Sequence, residues 1–202
     1  MYTPEYFQIT DSKVIRDFID HHGFATLIAP VAGRLIASHI PLMADRDDQK
    51  LYGHIARCNA LSEAMDGETQ LLAIFMNTHA YISSSWYEHA NVPTWNYTAV
   101  HIYGTAEIIE GRELSKRINQ LVEKYEKNRP NRFYMKDMNE EMLSAHMKGL
   151  VGFSMKIERT EAAFKLSQNR SKHDYYQIIK KLEEQGDPFS AGIAEEMKKI
   201  GK

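Results

Sequence analysis

Residues 79–104 read HAYISSSWYEHANVPTWNYTAVHIYG. The stretch holds both tryptophans, Trp86 and Trp95, with Tyr81, Tyr87, Tyr97 and Tyr103 and with His79, His89 and His101. Rings with a polar tip suit places where one side is dry and the other meets a ligand or partner. Aromatic side chains that pack a sheet or a subunit interface are the plainer reading. From Trp95 the alternation is that of a β-strand running to Glu110, with a bend at Gly104. It places Trp95, Tyr97, Ala99, His101 and Tyr103 on one face and Asn96, Thr98, Val100 and Ile102 on the other. Val100 and Ile102 mark the second face as core.

Upstream, Asp11 is placed to cap a helix that carries Val14, Ile15, Phe18 and Ile19 on one face and ends near Gly23. Strands are expected at 24–29 and 34–43, joined across the turn signal 30–33 as a hairpin. A polar loop at 44–49 leads to a third strand, 50–58, a short helix at 60–65 and a buried strand at 71–76. Downstream, Leu114, Ile118, Leu121, Val122 and Tyr125 have helical spacing. Asp137 and Glu140 read as a capping box for a second short helix. A last strand follows at 151–157. Asp174 reads as the cap of a further helix, and Asp187-Pro188 opens a final one ending near Gly201. Strands joined by short turns, with helices set in late, predict a mainly β protein: one barrel domain over 1–202, a helical insert at about 112–148 and C-terminal helices at about 173–200.

A chain of 202 residues supports one sizeable core. The formal net charge of -2 argues against binding nucleic acid through bulk phosphate neutralisation. No helix-turn-helix with a basic face is visible, so the sequence does not support direct DNA binding. The single cysteine, Cys58, permits no internal disulfide and fits a reducing, cytoplasmic setting. Its place in a strand pattern reads as a small core residue. The N-terminus lacks the features of a secretory signal, and no apolar run approaches the roughly 20 residues of a membrane span.

The segment from Gly53 to Asn59 sits where a strand turns into a helix. Small residues, free helix N–H groups and the Arg57 guanidinium make it a reasonable phosphate site. Spacing alone favours an arginine on a solvated strand end. Lys165, Gln168, Asn169 and Arg170 follow the last strand and form a loop able to meet a polar ligand, or a plain surface turn. No spacing supports a nucleophile–base pair or a metal site, and no catalytic residue stands out.

Seven segments occur in order along nearly the whole chain: MYTPEYF, ASHIPL, GHIAR-x-N, HAYIS-x-SWY, VPTWNY-x-x-VHIYG, GLVGF and KLSQNR. Together they resemble the PaiB-type family, described as FMN-binding negative transcriptional regulators tied to protease synthesis and sporulation. The resemblance implies a split β-barrel of the flavin-binding type, similar to pyridoxamine phosphate oxidases, working as a cytoplasmic homodimer that takes FMN, a small planar ligand, at its interface. It implies a phosphate contact near Arg57 and Asn59, with Ser38 and His39 as second-rank contacts. It adds Trp95, Asn96 and Tyr97 from one motif and Gln168 and Arg170 from the C-terminal loop. The chain departs from the family pattern after Asn59, where Ala60-Leu61-Ser62 stands in place of Pro-Gln. The runner-up readings are an FMN-dependent oxidoreductase with an indirect regulatory role and a heme-binding split barrel.

Overall fold

A computed structural model describes residues 1–45 and 49–201. The strands are β1 (Phe24–Val31), β2 (Arg34–Pro41), β3 (Met43–Ala44), β4 (Lys50–Ala56), β5 (Asp66–Ile82), β6 (Thr94–Ile109) and β7 (Leu150–Lys165). The α-helices are α1 (Ser12–His21), α2 (Gly111–Glu126), α3 (Glu140–Lys148), α4 (Lys172–Gln185) and α5 (Pro188–Ile200). The strands form one sheet in the order β2-β1-β5-β6-β7-β4-β3. The protein is mainly β, with helices between β6 and β7 and after β7. Of the loop expected at 44–49, positions 46–48 lie outside the described residues. Two compact units share the long strands: a hairpin unit of Ile19–Ile74 and Ile102–Thr160, and a terminal unit of Met1–Phe18, Phe75–His101 and Glu161–Lys202.

In the hairpin unit, β1 and β2 pair antiparallel from Phe24↔Pro41 to Val31↔Arg34. The turn residues Ala32 and Gly33 both have positive φ, 48° and 74°. That geometry matches the twist of a two-residue hairpin. β4 pairs antiparallel with β7 from Lys50↔Lys156 to Ala56↔Leu150. β2 also lies near β4 without being its neighbour in the sheet, so the sheet curls on itself. Leu27, Leu51, Leu71, Ile102, Phe153 and Met155 are buried inside it. β6 runs through Gly104 without interruption. A Cβ there would stand 1.8 Å from the Lys156 carbonyl oxygen, so the glycine permits close backbone approach.

In the terminal unit, α4 and α5 form a helical hairpin. Gly186 closes α4 in the left-handed region (φ 72°), and Asp187 caps α5 with Pro188 at its first turn. Tyr175 is buried and its hydroxyl donates to the Met197 carbonyl at 2.6 Å. Thr78 of β5 donates to the Phe189 carbonyl at 2.6 Å, which fixes α5 on the strand. The N-terminal segment docks beside β7: the Met1 ammonium pairs with Glu161, and Ile9 N–H donates to the Ala162 carbonyl at 3.0 Å.

Several elements differ from the sequence pattern. β5 and β7 are each longer than predicted. In β5 the buried positions are odd at Leu71, Ala73 and Phe75 and even at Thr78, Ala80 and Ile82, so no single alternation spans the strand. Asn139, not Asp137, caps α3, and its side chain accepts from Glu141 N–H at 2.8 Å. Ser171, not Asp174, caps α4; Asp174 instead accepts from Glu88 N–H at 3.0 Å. Cys58 is exposed beyond the end of β4, not in the core. Among the described residues, no helix is long and apolar enough to cross a membrane.

Candidate functional site

The predicted site residues fall into two groups, one in each unit. In the hairpin unit, β4 ends at Ala56 and Arg57 turns the chain toward a 3-10 helix, Ala60–Ala64. Arg57 donates from Nε to the Lys148 carbonyl and from Nη2 to the Leu150 carbonyl, both at 2.8 Å. The Lys148 carbonyl is one of the unpaired acceptors at the end of α3, where a cation is favoured. Arg57 is therefore a helix cap as well as a strand-end cation. One edge of its planar guanidinium is used, and the terminal edge, Nη1 with the second Nη2 hydrogen, faces outward. The residue is exposed.

Asn59 caps the 3-10 helix: its Oδ1 accepts from Leu61 N–H at 3.0 Å, and its Nδ2 donates to Ser38 Oγ at 2.9 Å. This bond ties β2 to the Arg57 turn. The Asn-Ala-Leu-Ser variant of the motif therefore still caps the turn without proline. Ser38 belongs with Asn59, whereas His39, one residue on, projects from the opposite face of β2. There its Nδ1 lies 3.0 Å from Thr26 Oγ1, and its ring stacks 6.4 Å from Phe24.

In the terminal unit, β6 divides its residues as the alternation predicts. Asn96 and Thr98 are fully buried, while Trp95 is exposed on the other face, the face that also carries Tyr97. Trp95 packs at ring-centroid distances of 5.8 Å from both His79 and Tyr81, and His79 lies 5.0 Å from Phe189. Asn96 Nδ2 donates to Ser167 Oγ at 3.0 Å. Gln168 turns back on its own loop: its Oε1 accepts from Leu166 N–H at 2.8 Å and its Nε2 donates to the Phe164 carbonyl at 2.6 Å. Gln168 thus shapes the loop, while Arg170 reaches a cleft of about 320 Å³.

That cleft is built from the terminal unit alone. Asn96, Lys165, Ser167, Asn169 and Arg170 give it polar walls, and Tyr2, Tyr6 and Pro93 give it apolar ones. Burial and the nearby Arg170 hold the Lys165 ammonium below the usual lysine range. Its Nζ donates to Thr94 Oγ1 at 2.5 Å. Sequence reasoning singled out the Lys165–Arg170 loop but missed the aromatic wall from the N-terminus. The signal for it was the MYTPEYF motif itself, which no local pattern connects to residue 165. The His101 imidazole is pushed below the usual histidine range by burial and by the N-terminal ammonium, with Glu161 acting in the opposite sense.

Two flavin-protein structures share this topology. The flavocytochrome Anf3 from Azotobacter vinelandii aligns with a TM-score of 0.64 at 13% identity, over 87% of this chain and 78% of its own. The FAD and heme binding protein from Mycobacterium smegmatis aligns with a TM-score of 0.59 at 14% identity, over 78% of this chain and 73% of its own. The fold is the split barrel of flavin-binding proteins. Residues 1–159 match the family described as "Putative FMN-binding domain". The chain is also 40% identical, over 98% of its length and 96% of the relative's, to "Protease synthase and sporulation protein PAI 2" from Bacillus subtilis. It belongs to this FMN-binding domain family, and within it to the PaiB type.

Proposed function

We propose that the protein binds FMN and acts, as a cytoplasmic homodimer, as a negative regulator of the protease-synthesis and sporulation type. Family membership and the 40% identity to PAI 2 support this reading. The observation that carries the cofactor is the state of Arg57. Two carbonyls fix its guanidinium through one edge, so the terminal edge is held ready for a two-oxygen acceptor such as a phosphate. Asn59 and Ser38 hold the adjoining turn, whereas His39, on the opposite face of β2, lies with Thr26 and Phe24 instead.

A comparison of FMN with riboflavin tests the reading. The two share the ring and differ in the phosphate, so FMN binds more tightly if the Arg57 turn takes that group. Flavin fluorescence quenching reads both affinities, and light scattering reads the dimer. Equal affinity for the two flavins, or no binding of either, defeats the proposal. Complementation of a Bacillus subtilis strain lacking PAI 2, scored by protease secretion, tests the regulatory part.

A further inference from the structure

The helices set between β6 and β7 are held very unequally. The start of α2 is anchored: Leu114 and Arg117 are buried. Arg117 pairs with Asp45, donates to Glu113 at 2.6 Å and lies with its guanidinium 3.5 Å from the centre of the Tyr52 ring. The end of α2 lies beside Gly23 through Lys124 and Tyr125. Beyond that the character changes. From Ile118 to Leu150 no residue is buried, and α3 has no buried side chain. The Phe133 N–H donates to Glu126 at 3.1 Å and Arg132 lies 3.8 Å from Glu123, but both ties stay within the insert. A segment with so little burial opens locally at low free-energy cost.

The insert rejoins the barrel at Arg57. Three successive carbonyls at the junction of α3 and β7 accept from this one residue. Its main-chain N–H meets Gly149 at 2.9 Å, its Nε meets Lys148 at 2.8 Å and its Nη2 meets Leu150 at 2.8 Å. The side chain thus fastens the end of an otherwise exposed helix, and the same guanidinium turns its terminal edge outward. Both uses need the side chain in one conformer. Ordering an arginine costs rotamer entropy. A ligand that orders it relieves the helix of that cost, and a docked helix relieves the ligand, so the two events favour each other.

From this geometry we infer that the outer part of the insert, residues 127–148, is a ligand-responsive element: a phosphate held by Arg57 tightens the docking of α3, and a docked α3 tightens the hold on the phosphate. The coupling rests on the phosphate reading of Arg57. The outer part also carries Phe133, Tyr134 and Met142 as exposed apolar groups, so a change in its order changes the surface that the protein presents.

Hydrogen exchange over residues 139–150 of the full chain reads the coupling, with FMN and riboflavin as probes. FMN is expected to slow exchange there, and riboflavin, which lacks the phosphate, to leave it unchanged. Without any flavin, Arg57→Ala speeds exchange in this segment by about tenfold, because two of the three bonds are lost. With saturating FMN the same variant shows no slowing. The reciprocal arm is Ala145→Pro, which breaks α3 at an exposed position far in sequence from the Arg57 turn. It should weaken FMN by about fivefold or more and leave riboflavin affinity as it was. Melting curves confirm that each variant is folded. FMN that binds without slowing exchange at 139–150 overturns the coupling and leaves the flavin reading standing. Unchanged FMN affinity in Ala145→Pro overturns it as well. Failure of the parent chain to bind FMN removes the flavin reading and the coupling together.

Discussion

Replacing Arg57 by alanine separates its two roles. The side chain makes two 2.8 Å bonds to the carbonyls of Lys148 and Leu150. Each is exposed, so each contributes about 1 kcal/mol, and their loss lowers stability by about 2 kcal/mol. For a chain of this size that is a fall of about 4–8 °C in Tm. The outward edge is a separate quantity. One charge-assisted bond to phosphate contributes about 1.5–3 kcal/mol, which corresponds to about 10- to 150-fold in FMN affinity. Arg57→Ala should therefore bind FMN in that weakened range and bind riboflavin as the parent does. Arg57→Lys restores charge but lacks the planar fork, so it recovers only part of the FMN affinity and little of the lost Tm. Flavin fluorescence titration at a temperature well below the melting transition keeps the two effects apart. A variant that melts early yet binds FMN as the parent does would show that Arg57 is only a helix cap, and the phosphate assignment would fall.

Other substitutions probe the frame. Gly104→Ala places a methyl 1.8 Å from the Lys156 carbonyl oxygen; soluble expression with an unchanged melting curve would contradict the close packing of β6 on β7. Asn96→Leu leaves the buried Ser167 hydroxyl without its partner and should cost about 1–3 kcal/mol in urea unfolding. Stability should also fall on acidification. Burial holds His54 below the usual histidine range, so the folded chain binds fewer protons than the unfolded one as pH drops below about 6.5. Urea midpoints at about pH 7.5 and 5.5 read the effect across that value. His54→Gln flattens the profile in part, since His101 contributes with the same sign. A profile in His54→Gln as steep as in the parent counts against the burial argument.

Local patterns carried much of the fold. The Asp11 and Asp187 caps, the Ala32-Gly33 hairpin turn and the two faces of β6 follow from short-range chemistry and were legible in the sequence. The caps of α3 and α4 were misplaced by a few residues because several side chains of the same chemistry compete there. At α4, Asp174 is drawn instead to Glu88 N–H, a long-range contact that no local pattern announces. β5 was read short because its polar start hides a strand and its buried positions change parity midway. At the candidate sites the residue types were legible but their partners were not. Nothing near Arg57 in sequence announces carbonyls 91 and 93 residues away. Likewise, the Lys165 loop gives no sign that the first residues of the chain complete its cleft.

The exposed position of Cys58 has a practical consequence. It is the single thiol of the chain, standing between Arg57 and Asn59. A maleimide dye attached there labels one defined point without any engineered cysteine. Its emission would report directly on events at the neighbouring guanidinium, in the protein as nature makes it.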